Sequence, residues 1–109
     1  MLRFKSDNFR ILVLSDVQAK RALNKTEKQV LETIVKITNP DLVVFLGDMI
    51  SGLRFFTKNK VEKTIHSIID TTVGSNIPFV VLSGNHDRYA FLPYHRQLDI
   101  YKTYQNCMT

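Results

Sequence analysis

Phe79-Val80-Val81-Leu82 passes through Ser83 into Gly84-Asn85-His86-Asp87. A short apolar run here ends in residues that can hold a metal ion. Two similar units precede it. Ile11-Leu12-Val13-Leu14 leads into Ser15-Asp16-Val17-Gln18, and Leu42-Val43-Val44-Phe45-Leu46 leads into Gly47-Asp48. One Asp after an apolar run means little. Three polar ends after three such runs can converge on one edge of a sheet, and convergence is what a metal site needs.

Runs of four or five β-branched and large apolar residues read as strands buried on both faces. The segments between them are long enough for helices. From Thr26 to Ile37, apolar residues fall at Val30, Leu31, Ile34, Val35 and Ile37, a helical stripe. Thr26 followed by Glu27 offers a start at or just inside the first turn, and Pro40 marks the end. From Lys58 to Val73, Val61, Ile65, Ile68, Ile69 and Val73 repeat at helical spacing, and Gly74 is a good stop. Leu98, Tyr101 and Tyr104 predict a third helix in the tail. The fold class is therefore α/β, a parallel sheet built from β-α-β-α-β crossovers. Such crossovers are right-handed, so all three strands point their C-terminal ends to the same side. Ligands of open α/β sheets bind outside those ends, and Asp16, Gln18, Asp48, Asn85 and His86 all fall there.

Asp16, Asp48, Asn85 and His86 offer oxygen and imidazole donors with no thiolate nearby. That mix suits hard to borderline divalent ions: Mn, Mg, Fe or Zn. Two ions held roughly 3.5–4 Å apart can share a bridging carboxylate and activate water. Asp48, at the end of the central unit in sequence, is the natural bridge. A bound hydroxide would attack phosphorus in line while the metals neutralise the phosphoryl oxygens. His86 would protonate the leaving oxygen or stabilise the transition state, with Asp87 orienting the imidazole.

The set Asp16-x-Gln18, Gly47-Asp48 and Gly84-Asn85-His86-Asp87 resembles the calcineurin-like metallophosphoesterase superfamily, which includes the purple acid phosphatases. The resemblance runs from about Phe9 to Cys107, and Gly-Asn-His-Asp after a buried strand is its most specific element. It implies that Asp16 binds the first metal, Asp48 bridges both and Asn85 binds the second. His86 would be the catalytic imidazole beside the substrate phosphate. The family's first motif normally has His two residues after the Asp; here Gln18 stands there, and an amide oxygen ligates less strongly than imidazole. The family also completes its metal shells with downstream histidines, one alone and a Gly-His-x-His pair. After the third motif this chain has His95, which sits in neither pattern, and His66 lies within the second helical stripe. The expectation is thus residues 1–109 as the N-terminal half of a metallophosphoesterase sandwich, truncated at its C-terminus, with an exposed sheet edge or a partner chain completing the fold.

The 109 residues make one small domain at most, with an ordinary 44% hydrophobic content. Fifteen basic against ten acidic residues give +5, but the bases are scattered and not interleaved with aromatics, so nucleic acid is not indicated. Arg54 and Arg88, each shortly after a motif, are the better candidates for contacts to a phosphorylated substrate. Phe55-Phe56 either walls that pocket or caps the core. One cysteine, Cys107, excludes an internal disulfide framework and fits a reducing compartment. With no apolar leader and no run of about 20 apolar residues, the expected location is the cytoplasm and no membrane is involved.

Other readings differ in what they require. A strand-end Asp can simply cap a helix, and Asn85 beside Gly84 suits a turn; either alone is ordinary, whereas three such coincidences are not. A non-catalytic metal- or phosphate-binding fragment would keep the half-site without the downstream histidines. A receiver- or flavodoxin-like module wants an acidic pair after the first strand and a Lys after a late one, and Ser15-Asp16 stands alone. A Gly-rich phosphate loop is absent.

Overall fold

Three apolar runs of strand-forming residues pair as a parallel sheet, and the amphipathic stretches between them pack as helices over one of its faces. A computed structural model of the chain describes residues 8–15, 23–47, 58–82 and 94–109. The strands are β1 (Ile11–Leu14), β2 (Leu42–Phe45) and β3 (Phe79–Val81). The helices are α1 (Lys25–Thr38), α2 (Lys58–Thr72) and α3 (Tyr94–Tyr101). All three strands are parallel in the order β1-β2-β3, so the predicted β-α-β-α-β crossovers are present and β2 is central.

Both ends of α1 and the end of α2 have a local cause. Asn24, not Thr26, is the N-cap of α1: its side chain accepts from the Glu27 amide at 2.8 Å, and Glu27 Oε1 accepts from the Asn24 amide at 2.9 Å. This reciprocal capping box satisfies two amides that the helix start would otherwise strand. At the other end Asn39 takes the left-handed conformation (φ 46°) one residue before Pro40. Gly74 does the same after α2 at φ 54°, a conformation that side-chain-bearing residues adopt with strain, and its amide returns to the Ile69 carbonyl.

The core lies between the sheet and the helices. Val43, Phe45, Phe79 and Val81 point inward and are buried, with Val61, Ile65, Ile68 and Ile69 of α2 and Ile100 and Tyr101 at the end of α3. The Phe45 and Phe79 rings meet edge to face, 5.7 Å apart. Two expectations change here. The strands are not buried on both faces among the described residues: Ile11, Val13, Leu46 and Leu82 alternate to the outer face and stand about half exposed. The apolar stripe of α1 is also split. Leu31 packs against the core, while Val30, Ile34 and Ile37 face outward, and α1 has no buried residue.

The tail differs from its expected form too. α3 begins at Tyr94 and ends at Tyr101, so Tyr104 lies beyond it in a turn. The chain then runs beside β3, where Phe79 and Cys107 form a parallel bridge. The Phe79 amide donates to Asn106, the Met108 amide donates to Phe79, and the Val81 amide donates to the Thr109 hydroxyl. Three residues are too short a run to read as a strand from sequence. Among the described residues, no helix is long and apolar enough to cross a membrane.

Candidate metal centre

The sheet register sets up the edge from which the predicted site departs. Leu14, Phe45 and Val81 stand in one row across β1, β2 and β3. One residue further, the Leu46 amide donates to the Leu14 carbonyl and the Leu82 amide donates to the Phe45 carbonyl, each at 2.8 Å. The strands therefore stay fastened to one another up to their last residues. Gly47 follows at φ 112°, which any side chain would strain, and it stands directly before Asp48.

The eight predicted site residues, Asp16, Gln18, Asp48, Arg54, Asn85, His86, Asp87 and Arg88, lie outside the described residues, as do Phe55 and Phe56. What the structure gives is the origin of each segment. Asp16 is two residues beyond Leu14, Asp48 three beyond Phe45 and Asn85 four beyond Val81 (16 − 14, 48 − 45, 85 − 81). The three strands that precede them end at the same edge of one sheet, and the strand before Asp48 is the middle one.

The segment after β1 re-enters the described fold at Leu23. The Leu23 side chain is 5% exposed, and its amide donates to the Ser67 hydroxyl of α2 at 2.9 Å. No sequence pattern announces this bond, which spans 44 residues of chain. The remaining histidines sit elsewhere. His95 is exposed in the first turn of α3. His66 is half-buried on α2, with Nδ1 2.7 Å from the Tyr104 hydroxyl. Among the described residues, no group of three or more His, Cys, Asp or Glu side chains could hold a metal.

The calcineurin-like phosphoesterase family model matches residues 9–109. The chain belongs to the calcineurin-like phosphoesterase family. That family hydrolyses phosphoesters with metal ions, generally two divalent ones. Membership agrees with the parallel β-α-β-α-β architecture and covers all three strands. The chain is also similar to a protein of Arabidopsis thaliana called probable inactive purple acid phosphatase 29, with 36% identity over 55 residues. The match takes in 50% of this calcineurin-like chain but only 13% of the relative's length.

The donor set fits the family's metals. Carboxylates, an amide oxygen and an imidazole suit hard to borderline divalent ions. Neighbouring strands lie about 4.8 Å apart, and two to four residues reach about 7–14 Å at most.

Proposed function

We propose that this chain carries the strand-end half of a dinuclear metal site that hydrolyses phosphomonoesters or phosphodiesters. What supports the reading is the row Leu14–Phe45–Val81 at the ends of three parallel strands, after which Asp16, Asp48 and Asn85-His86 follow in sequence, Asp48 after the central strand. Asp16 and Gln18 would hold the first ion, Asp48 both ions, and Asn85 the second. When bound, the ions supply charge neutralisation at the phosphoryl oxygens and an activated water. Manganese is one candidate among Mn, Fe, Zn and Mg.

The protein's own groups supply the rest. His86 holds a proton for the leaving-group oxygen, and Asp87 orients its ring. Arg54 and Arg88 bind and orient the phosphate as charged donors. The substrate is a phosphorylated small molecule or another phosphoester. A cytoplasmic setting belongs to the same proposal and is supported by the free thiol of Cys107.

A second reading, metal or phosphate binding without turnover, is favoured by the word inactive in the name of the Arabidopsis relative and by Gln18 at a position where the family normally has His. Calorimetric titration with Mn²⁺, run beside Asp48→Asn, separates the readings when joined to assays on p-nitrophenyl phosphate and its bis-ester. Binding lost in the mutant together with wild-type turnover supports the hydrolase. Binding without turnover supports the second reading. A folded chain that takes up no Mn²⁺ and shows no turnover overturns the hydrolase reading and leaves the second one only as phosphate binding.

A further inference from the structure

His66 and Asp70 stand four residues apart on α2, which makes them neighbours on one face of the helix. Tyr104, in the turn beyond α3, brings a third group to them. Its hydroxyl oxygen is 2.7 Å from His66 Nδ1 and 2.7 Å from Asp70 Oδ1. An imidazole nitrogen, a phenol oxygen and a carboxylate oxygen therefore meet in one place. His66 and Tyr104 are half-buried, while Asp70 is exposed and leaves the trio accessible from solvent.

These donors suit a borderline divalent ion. His nitrogen and Asp oxygen are ordinary Zn²⁺ ligands, and positions i and i+4 are how one helix presents two ligands to one ion. The phenol supplies the third donor. In a tetrahedral site with bonds of about 2.0–2.1 Å, donors stand about 3.3–3.4 Å apart. The imidazole and the carboxylate therefore need to draw back from the phenol oxygen by less than about 1 Å.

The protons balance. Without an ion, His66 Nδ1–H donates to the phenol, and the phenol donates to Asp70. An ion in their place needs the Nδ1 lone pair, so the ring proton sits on Nε2 instead, and the phenol gives its own proton to solvent. Burial first, then the bonded Asp70 carboxylate, hold the phenol protonated when no cation is present. A divalent cation among the three groups reverses that balance.

We propose that His66, Asp70 and Tyr104 form a Zn²⁺ site with water in the fourth position, a clip that fastens the segment after α3 to α2. It uses none of the strand-end residues and does not rest on reading those as metal ligands.

The test is a Zn²⁺ titration of the whole chain, followed by ultraviolet difference absorbance, which reports a tyrosine becoming tyrosinate. The wild type is expected to give that signal and Tyr104→Phe to abolish it. His66→Gln and Asp70→Asn are each expected to weaken the binding it reports by about tenfold or more. Asp48→Asn is expected to leave it within about twofold. A folded wild type without the tyrosinate signal overturns the proposal, whether or not it takes up Zn²⁺ elsewhere. So does a signal that survives Tyr104→Phe, which belongs to another tyrosine, or one lost in Asp48→Asn, which belongs to the strand ends. A signal that His66→Gln and Asp70→Asn leave unchanged marks an adventitious ion only and overturns it too. Should Tyr104→Phe fail to melt cooperatively, Asp70→Asn, at an exposed position, decides in its place.

Discussion

The Tyr104 hydroxyl donates to Asp70 Oδ1 at 2.7 Å, locking the chain beyond α3 onto the outer side of α2. Because that hydroxyl has one hydrogen, its oxygen accepts from the protonated Nδ1 of His66, also at 2.7 Å. The Tyr104 ring meets Phe79 of β3 nearly edge to face. Close by in sequence, the Asn106 amide group donates to the carbonyls of Gly74 and Ile77. These bonds set residues 106–109 beside β3. Tyr104→Phe keeps the ring contacts and removes both hydroxyl bonds. It is expected to cost about 1 kcal/mol, a fall of roughly 4–8 °C in melting temperature by calorimetry.

The same hydroxyl predicts an alkaline signature. Burial, then the hydrogen bond to Asp70, then the Asp70 charge push Tyr104 well above its ordinary value of 10.0. A phenol whose pKa is raised by folding holds its proton more tightly in the native state. Its contribution is fully present below the unfolded value and is lost as pH rises through and beyond about 10. The melting difference between wild type and Tyr104→Phe is therefore expected to hold constant to about pH 9 and to shrink by about pH 11. A difference that grows over that range would reverse the assignment.

Asn24 and Glu27 satisfy each other's amides at the start of a helix with no fully buried residue. Such a helix depends on its caps more than one seated in the core. Asn24→Ala is expected to cost about 1 kcal/mol. Amide hydrogen exchange should show the loss first in residues 25–38, ahead of the sheet. The double mutant with Glu27→Ala should lose less than the sum of the two single changes, since the bonds are reciprocal.

Val13 and Val43 stand one strand apart with opposite exposures. Val13 is 52% exposed on the outer face and Val43 is fully buried. Val13→Thr is expected to shift stability by under about 0.5 kcal/mol. Val43→Thr places an unpartnered hydroxyl in the core and should cost about 1–3 kcal/mol. Comparable losses in denaturant melts would mean that the outer face is covered in solution.

This pair also shows where the sequence is legible and where it is not. The aliphatic runs specify strands, and the lengths between them specify crossovers, so the parallel order follows from chain geometry. Residue type does not reveal that one face lacks a covering layer among the described residues, because Ile11 and Val13 look like Val43 and Phe45. α2 reads clearly because its apolar stripe has a core to meet. The stripe of α1 reads the same and finds none for Val30, Ile34 or Ile37. The positions of Asp16, Asp48 and Asn85 after apolar runs are legible in the sequence, while the residues themselves lie outside the described ones. The Leu23–Ser67 bond and the pairing of Cys107 with Phe79 are not, since each depends on residues brought together from distant parts of the chain.

Gln18 is the departure from the family pattern whose effect is easiest to measure. An amide oxygen is a neutral, weak ligand, whereas imidazole binds borderline divalent ions more firmly. If Gln18 faces the first ion, Gln18→His should tighten the first binding event for Mn²⁺ or Zn²⁺ by about tenfold or more, with the second event little changed. The gain should also depend on pH. The imidazole must be neutral to bind, so the advantage should be present above its ordinary pKa of about 6.5 and fade as pH falls below it. Calorimetric titrations at pH 7.5 and 5.5 check both statements. Equal affinity for glutamine and histidine forms at pH 7.5 would place Gln18 away from the ion, leaving Asp16 as the ligand contributed by the segment after β1.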